Sequence, residues 1–274
     1  MVLPLGDLER TRITPFVTYA LIAANVAMFL LQENRGEKFT MAYACTPWEV
    51  THADDLDQPI VVRPAEDVRV RDPRDPTGRR IVIVERPAQV IPHAPAAIPP
   101  WMTLLTCMFL HGGWMHLLGN MLYLWIVGDN VEEVLGPVLY VVAYLACGLA
   151  GSLAQIAAAP NSQIPTLGAS GAIAGIMGAY VVWFPHNQMR VLVFRVITVL
   201  PAIIVIGGWI ALQVISGAGA FGSIGETGGV AYLAHIGGAL AGIVVAFLFM
   251  DRARYVKARN EHERGWSSYA PPGY

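Results

Sequence analysis

The chain reads as an all-α polytopic membrane protein: a six-transmembrane-helix bundle with a small extramembrane β-hairpin insertion between helices one and two. Three observations predict that class. Hydrophobic residues make up 55% of the 274 and charged residues only 14%, whereas an ordinary soluble domain carries about 25% charged residues. Mean hydropathy is +0.49. Six apolar segments, at about 15–32, 114–128, 134–158, 169–185, 191–215 and 230–250, approach or reach the roughly 20 residues a helix needs to cross a bilayer.

Residues 1–14 form a cytoplasmic N-terminal segment. Arg10 and Arg12 precede an apolar run from Phe16 to Leu31, which Gln32-Glu33-Asn34-Arg35 ends abruptly. No small-residue cleavage site follows, so 15–32 reads as a first transmembrane helix and not as a cleavable signal peptide. Residues 33–100 are an extramembrane insertion, charged and proline-rich from about Thr46 to Pro100. Within it, Val68–Arg71 and Arg80–Glu85 are rich in β-branched residues and flank the cluster Asp72-Pro73-Arg74-Asp75-Pro76-Thr77-Gly78, the pattern of a hairpin. Trp101–Leu110 is too short to span and suits the interface. The core is expected over 101–250, followed by a basic cytoplasmic tail, 251–274.

Arginine and lysine counts in short connections set the orientation. Arg10 and Arg12 lie before helix one, Arg190 and Arg195 flank the turn between helices four and five, and five basic residues follow helix six; 159–168 and 216–229 carry none. Both termini are therefore expected in the cytoplasm, with the chain in the plasma (inner) membrane. Glu132 and Glu133 read as a solvated turn, and the glycine-rich 216–229 as a lid.

The composition also excludes functions. A net charge of -2 without a basic, aromatic-interleaved patch argues against nucleic-acid binding. Cys45, Cys107 and Cys147 form no CxxC pair and read as small apolar fillers. No HExxH occurs, His111 and His116 are five apart, and no carboxylate lies near His235, so neither a metal nor a cofactor is expected.

What remains is a serine and a histidine in separate apolar, glycine-rich segments. Six spans from a cytoplasmic start run helices two, four and six in the same direction. His116 and Asn120 then lie at the start of helix two, Ser170 at the start of helix four, and His235 about a turn into helix six. Spacing i,i+4 puts His116 and Asn120 on one helix face. His235, Gly238 and Gly242 share a face (i, i+3, i+7), and Gly171, Gly175 and Gly178 offer a matching small surface on helix four, so the two backbones can approach. An ionisable side chain in hydrocarbon is a functional candidate by default, and serine with histidine in reach is the minimum apparatus for acyl transfer.

Three signals, Gly168-Ala169-Ser170-Gly171, Ala234-His235-x-x-Gly238-x-x-x-Gly242 and His116-x-x-x-Asn120, resemble the rhomboid family of intramembrane serine proteases over roughly 15–32 and 101–250. The resemblance implies a Ser170–His235 catalytic dyad, an oxyanion hole from His116, Asn120 and the Ser170 amide with Gly168 shaping it, and packing through Gly171, Gly238 and Gly242. Its substrates would be membrane proteins with a transmembrane segment, met in the lipid bilayer. The chain departs from the family pattern where Met102 follows Trp101 in place of arginine. It departs again at Ala174, where a tyrosine often stacks on the histidine, so His235 must be oriented otherwise. Two other readings are a catalytically inactive rhomboid-like scaffold or chaperone and a small-solute transporter; the intact Ser170 and His235 weigh against the first, and the absence of internal repeats against the second.

Overall fold

The computed structural model describes residues 2–9, 11–63, 66–71, 74, 81–86, 88–220 and 231–267. These are mostly helical. In chain order they form β1 (Val2–Asp7), α1 (Phe16–Arg35), α2 (Glu37–Tyr43), α3 (Pro47–His52), β2 (Ile60–Arg63), β3 (Glu66–Arg71), β4 (Ile81–Arg86) and β5 (Gln89–Ile91). Then come α4 (Thr103–Thr106) between two 3-10 turns, α5 (Trp114–Leu135), α6 (Pro137–Ala158), α7 (Ser170–Trp183), β6 (Gln188–Val193), β7 (Val196–Pro201), α8 (Ala202–Ala220), α9 (Tyr232–Leu248) and α10 (Met250–Ser267).

Among the described residues, α1 and α6 are each long and apolar enough to cross a membrane. The pair α9 and α10 passes the same test together but bends by 71° between them. Helix α7 has only 14 residues, about 21 Å at the α-helical rise, against about 30 Å of hydrocarbon. The second span is longer than the 114–128 expected: α5 runs on through Asp129, Glu132 and Glu133 to Leu135. Gly136, at φ +75°, ends it and Pro137 opens α6, a pairing that suits glycine's freedom and proline's preset first turn.

The innermost packing is α7 against α9 and α6. A Cβ on Gly238 would strike the carbonyl of Gly171, one on Gly242 that of Gly175, and one on Gly178 would lie 2.5 Å from the carbonyl oxygen of Ala239. The two backbones therefore touch along the whole glycine face. This is close approach of small residues, the arrangement available where lipid offers no hydrophobic drive for helices to associate.

Two parts of the chain differ from their sequence reading. Residues 191–201 are not helix. They belong to the antiparallel pair β6–β7, closed by Phe194 at φ +54°, and α8 begins only at Ala202. The run is apolar enough to pass for a span, yet Gln188 and Arg190 alternate with the buried Met189 and Val191, the period of a strand. Strand β1 adds to β6 antiparallel, pairing Val2 with Val193 and Asp7 with Met189, so the N-terminal segment completes a three-stranded sheet.

The second correction is at Glu132, which is buried, and Glu133, which is half-buried; neither lies in a solvated turn. Glu132 is 2% exposed and accepts from the Val17 and Thr18 amides at 3.0 and 2.8 Å and from the Thr18 hydroxyl at 2.8 Å. It thereby satisfies the N–H groups that the start of α1 cannot pair internally and places negative charge at a helix N-terminus. Glu133 holds Arg259 of α10 at 2.6 Å. The tail therefore folds back as helix, and Arg252 donates to the Leu135 carbonyl at the end of α5.

In the insertion, β3 pairs with β4 antiparallel, Val68 opposite Val84, and β2 with β5. The turn cluster between β3 and β4 lies outside the described residues except Arg74. Arg10, residues 221–230 of the expected lid and 268–274 of the tail lie outside them too. Within the described residues the lid segment begins as the end of α8.

Candidate active site

The short helix α7 starts at Ser170, and two segments from earlier in the chain hold the stretch that leads into it. Cys45 and Thr166 exchange backbone hydrogen bonds of 3.0 and 2.8 Å, and the Gly168 amide donates to the Cys107 carbonyl at 2.9 Å. Gly168 sits at φ +132°, where an added Cβ would lie 2.8 and 2.9 Å from the His116 ring. Glycine is required there twice over, by backbone conformation and by the ring against it. Its amide is already engaged, so Gly168 shapes the site and offers no donor to it.

Ser170 and His235 meet. The His235 Nε2 lies 2.7 Å from the Ser170 hydroxyl oxygen, and both residues are half-buried. The contact follows from the glycine face below it: His235 stands one turn before Gly238 on the side of α9 that touches α7.

His116 enters from α5. The Gly112 amide donates to its Nδ1 at 3.3 Å, so in a neutral ring the proton sits on Nε2, the nitrogen facing Gly168 and the serine. Asn120, one turn on, is 8% exposed, and its Nδ2 is buried without a partner. Ser170 is the first residue of α7, where helical amides have no internal acceptor. The His116 ring thus stands beside Gly168, two residues before the serine, and Asn120 Nδ2 is uncommitted one turn further along α5.

Beside Ser170 lies a cavity of about 30 Å³ bordered by Cys107, Met108, Gly148, Gly168 and Ala234, room for one or two waters. Among the described residues no group of three histidine, cysteine or acidic side chains is placed to hold a metal ion. The three cysteines are buried and free.

The sequence reading missed Gln213. Its Oε1 lies 2.8 Å from His235 Nδ1. Trp209, one turn earlier on α8, sets its ring 5.4 Å from the imidazole, tilted 40°, and 6.1 Å from Tyr123. A signal was available: Gln213 and Ser216 are the polar side chains of an otherwise apolar α8, and a lone amide in hydrocarbon calls for a partner. Trp114, which opens α5, is 53% exposed and Phe29 meets it edge-on. His111 is buried against His116, and burial and that neighbour push its pKa down to about 4, so it is neutral.

A family model described as "Rhomboid domain" matches residues 99–252. RHOMBOID-like protein 5 of Arabidopsis thaliana is 31% identical over 171 residues, 62% of this chain and 49% of that protein. Rhomboid protein 1, mitochondrial, of Saccharomyces cerevisiae is 31% identical over 147 residues, 52% of this chain and 40% of that protein. Rhomboid protease GluP of Bacillus subtilis is 46% identical over 79 residues, 29% of this chain and 15% of that protein. The chain thus spans half or less of the length of these relatives. With the matched model covering more than half of its residues and apolar helices throughout, this integral membrane protein belongs to the rhomboid family.

Proposed function

We propose that this chain is an intramembrane serine endopeptidase that cleaves membrane proteins in or beside a transmembrane segment. The observation that carries the reading is the 2.7 Å contact between Ser170 and His235, joining residues 65 apart in sequence. The Ser170 oxygen attacks the scissile carbonyl carbon while its proton passes to His235 Nε2. The tetrahedral oxyanion forms among the Ser170 amide, Asn120 Nδ2 and His116 Nε2–H, donors free at rest. Such preorganised donors stabilise the transition state by about 3–4 kcal/mol each. His235 then returns its proton to the leaving amine, leaving an acyl-Ser170. A water deprotonated by His235 attacks that ester, releasing the carboxylate product and the free hydroxyl.

The architecture we propose with it has six membrane-crossing helices, α1 and α5 through α9, both termini cytoplasmic, and the hairpin insertion 33–100 outside the core 101–250. No metal or cofactor enters this chemistry. The buried carboxylate of Glu132, which would tempt a transporter reading, is used up capping α1. A fluorophosphonate probe on detergent-solubilised protein tests the proposal. Wild type labels and Ser170→Ala and His235→Ala do not; labelling that survives Ser170→Ala overturns the assignment.

A further inference from the structure

We propose that Gln213 of α8 is a positioning residue that sets the tautomer and aim of His235, in the place a carboxylate holds in a catalytic triad. The inference rests on the hydrolase reading above. An amide oxygen only accepts hydrogen bonds. With Gln213 Oε1 at 2.8 Å from Nδ1, the ring proton must sit on Nδ1, and Nδ1–H donates to the amide. That leaves the Nε2 lone pair facing the Ser170 hydroxyl at 2.7 Å, the one tautomer able to take the serine proton. The opposite tautomer would point N–H at the serine and accept nothing.

Packing holds the amide in place. Trp209, Gln213 and Gly217 recur every fourth residue and so share one face of α8. Trp209 lies against the His235 ring. Gly217 is buried, and a Cβ on it would reach 3.3 Å from Ile236 and 3.4 Å from Tyr232 of α9. The residues between, Leu212, Val214 and Ile215, are 60%, 48% and 67% exposed. Helix α8 therefore docks through a narrow stripe, and Gln213 is its polar member. His235 has no partner on its own helix for Nδ1, so its alignment depends on α8 lying against α9.

Two variants and two readouts test this. Gln213→Met keeps the length of the side chain and removes the acceptor; Gln213→Glu keeps an acceptor. For a partner acting through another residue, kcat in Gln213→Met should fall about 10–100-fold, with KM within about twofold, unfolding temperature unchanged, and kcat restored in Gln213→Glu. Independently of turnover, ¹⁵N spectra of the histidines in nanodiscs, with His235 identified by its loss in His235→Ala, should show Nδ1–H in wild type and Gln213→Glu and lose it in Gln213→Met. A wild-type kcat in Gln213→Met, an Nε2–H tautomer in wild type, or a loss of kcat in both variants tracking a lower unfolding temperature would each overturn the proposal. If Ser170→Ala keeps full activity, the hydrolase reading fails instead, and the spectra, recorded also in that variant, still judge the tautomer.

Discussion

Helix α5 runs between two polar regions built on opposite terms. At its C-terminal end, the carboxylates are answered: Asp129 by Thr11, Glu132 by the start of α1, and Glu133 by Arg259 and Asn260. Asp7, from the N-terminal strand, accepts from Tyr180 of α7 and Asn130 of α5, and Asn187 donates to Tyr180 at 3.2 Å. At its N-terminal end, Asn120 Nδ2 and both ring nitrogens of His111 are buried without partners. A buried polar group left unpaired costs about 1–3 kcal/mol, so the site end stores what the other end stabilises. The contrast teaches that one helix divides its labour: one terminus ties α1, α7 and α10 together, and the other leaves donors unpaired, as the proposed oxyanion hole requires.

The comparison can be broken most sharply at the serine. Ser170→Ala should lower kcat at least about 10⁴-fold, as for other nucleophile deletions, with no loss of thermal stability in detergent; a large drop in unfolding temperature would make the site end structural as well. Asn120→Ala comes next. Turnover should slow about 10²–10³-fold, the loss of one oxyanion donor, while stability holds or rises because an orphan donor has gone.

At the other end the signs should reverse. Glu132→Ala strands the α1 amides and should cost about 2–3 kcal/mol of stability, read by chemical denaturation, leaving the kcat of the folded fraction unchanged. If kcat falls as steeply as stability, the two ends are not separable. The smallest effect is pH-dependent. Burial raises the Asp7 carboxyl above the ordinary aspartate range, so the folded state holds that proton more tightly than the unfolded chain. Stability from this group therefore grows as pH falls through the raised folded value and is complete below about 4. Wild type should gain stability relative to Asp7→Asn as the pH is lowered; parallel melting curves would remove Asp7 from the account.

Much of the site was legible because its spacing is local. The i,i+4 pair His116 and Asn120, and the run His235, Gly238, Gly242, declare their faces from helical geometry alone, and the glycines announce close approach whatever the partner. The fold was less legible where an apolar run admits two periods. Residues 191–201 satisfy a hydropathy window, and only the pairing of β6 with β1 and β7 makes them strands.

The sequence alone therefore singled out which side chains are candidates for the chemistry, and that they lie in apolar helices, since residue type, hydropathy and helical period are properties of short stretches. Tertiary structure decided what holds them. Gln213 meets His235 across 22 residues, Glu132 meets Thr18 across 114, and Asp7 meets Tyr180 across 173. Such polar partners leave no periodic trace, because a hydrogen bond needs only that two atoms arrive together once the chain has packed.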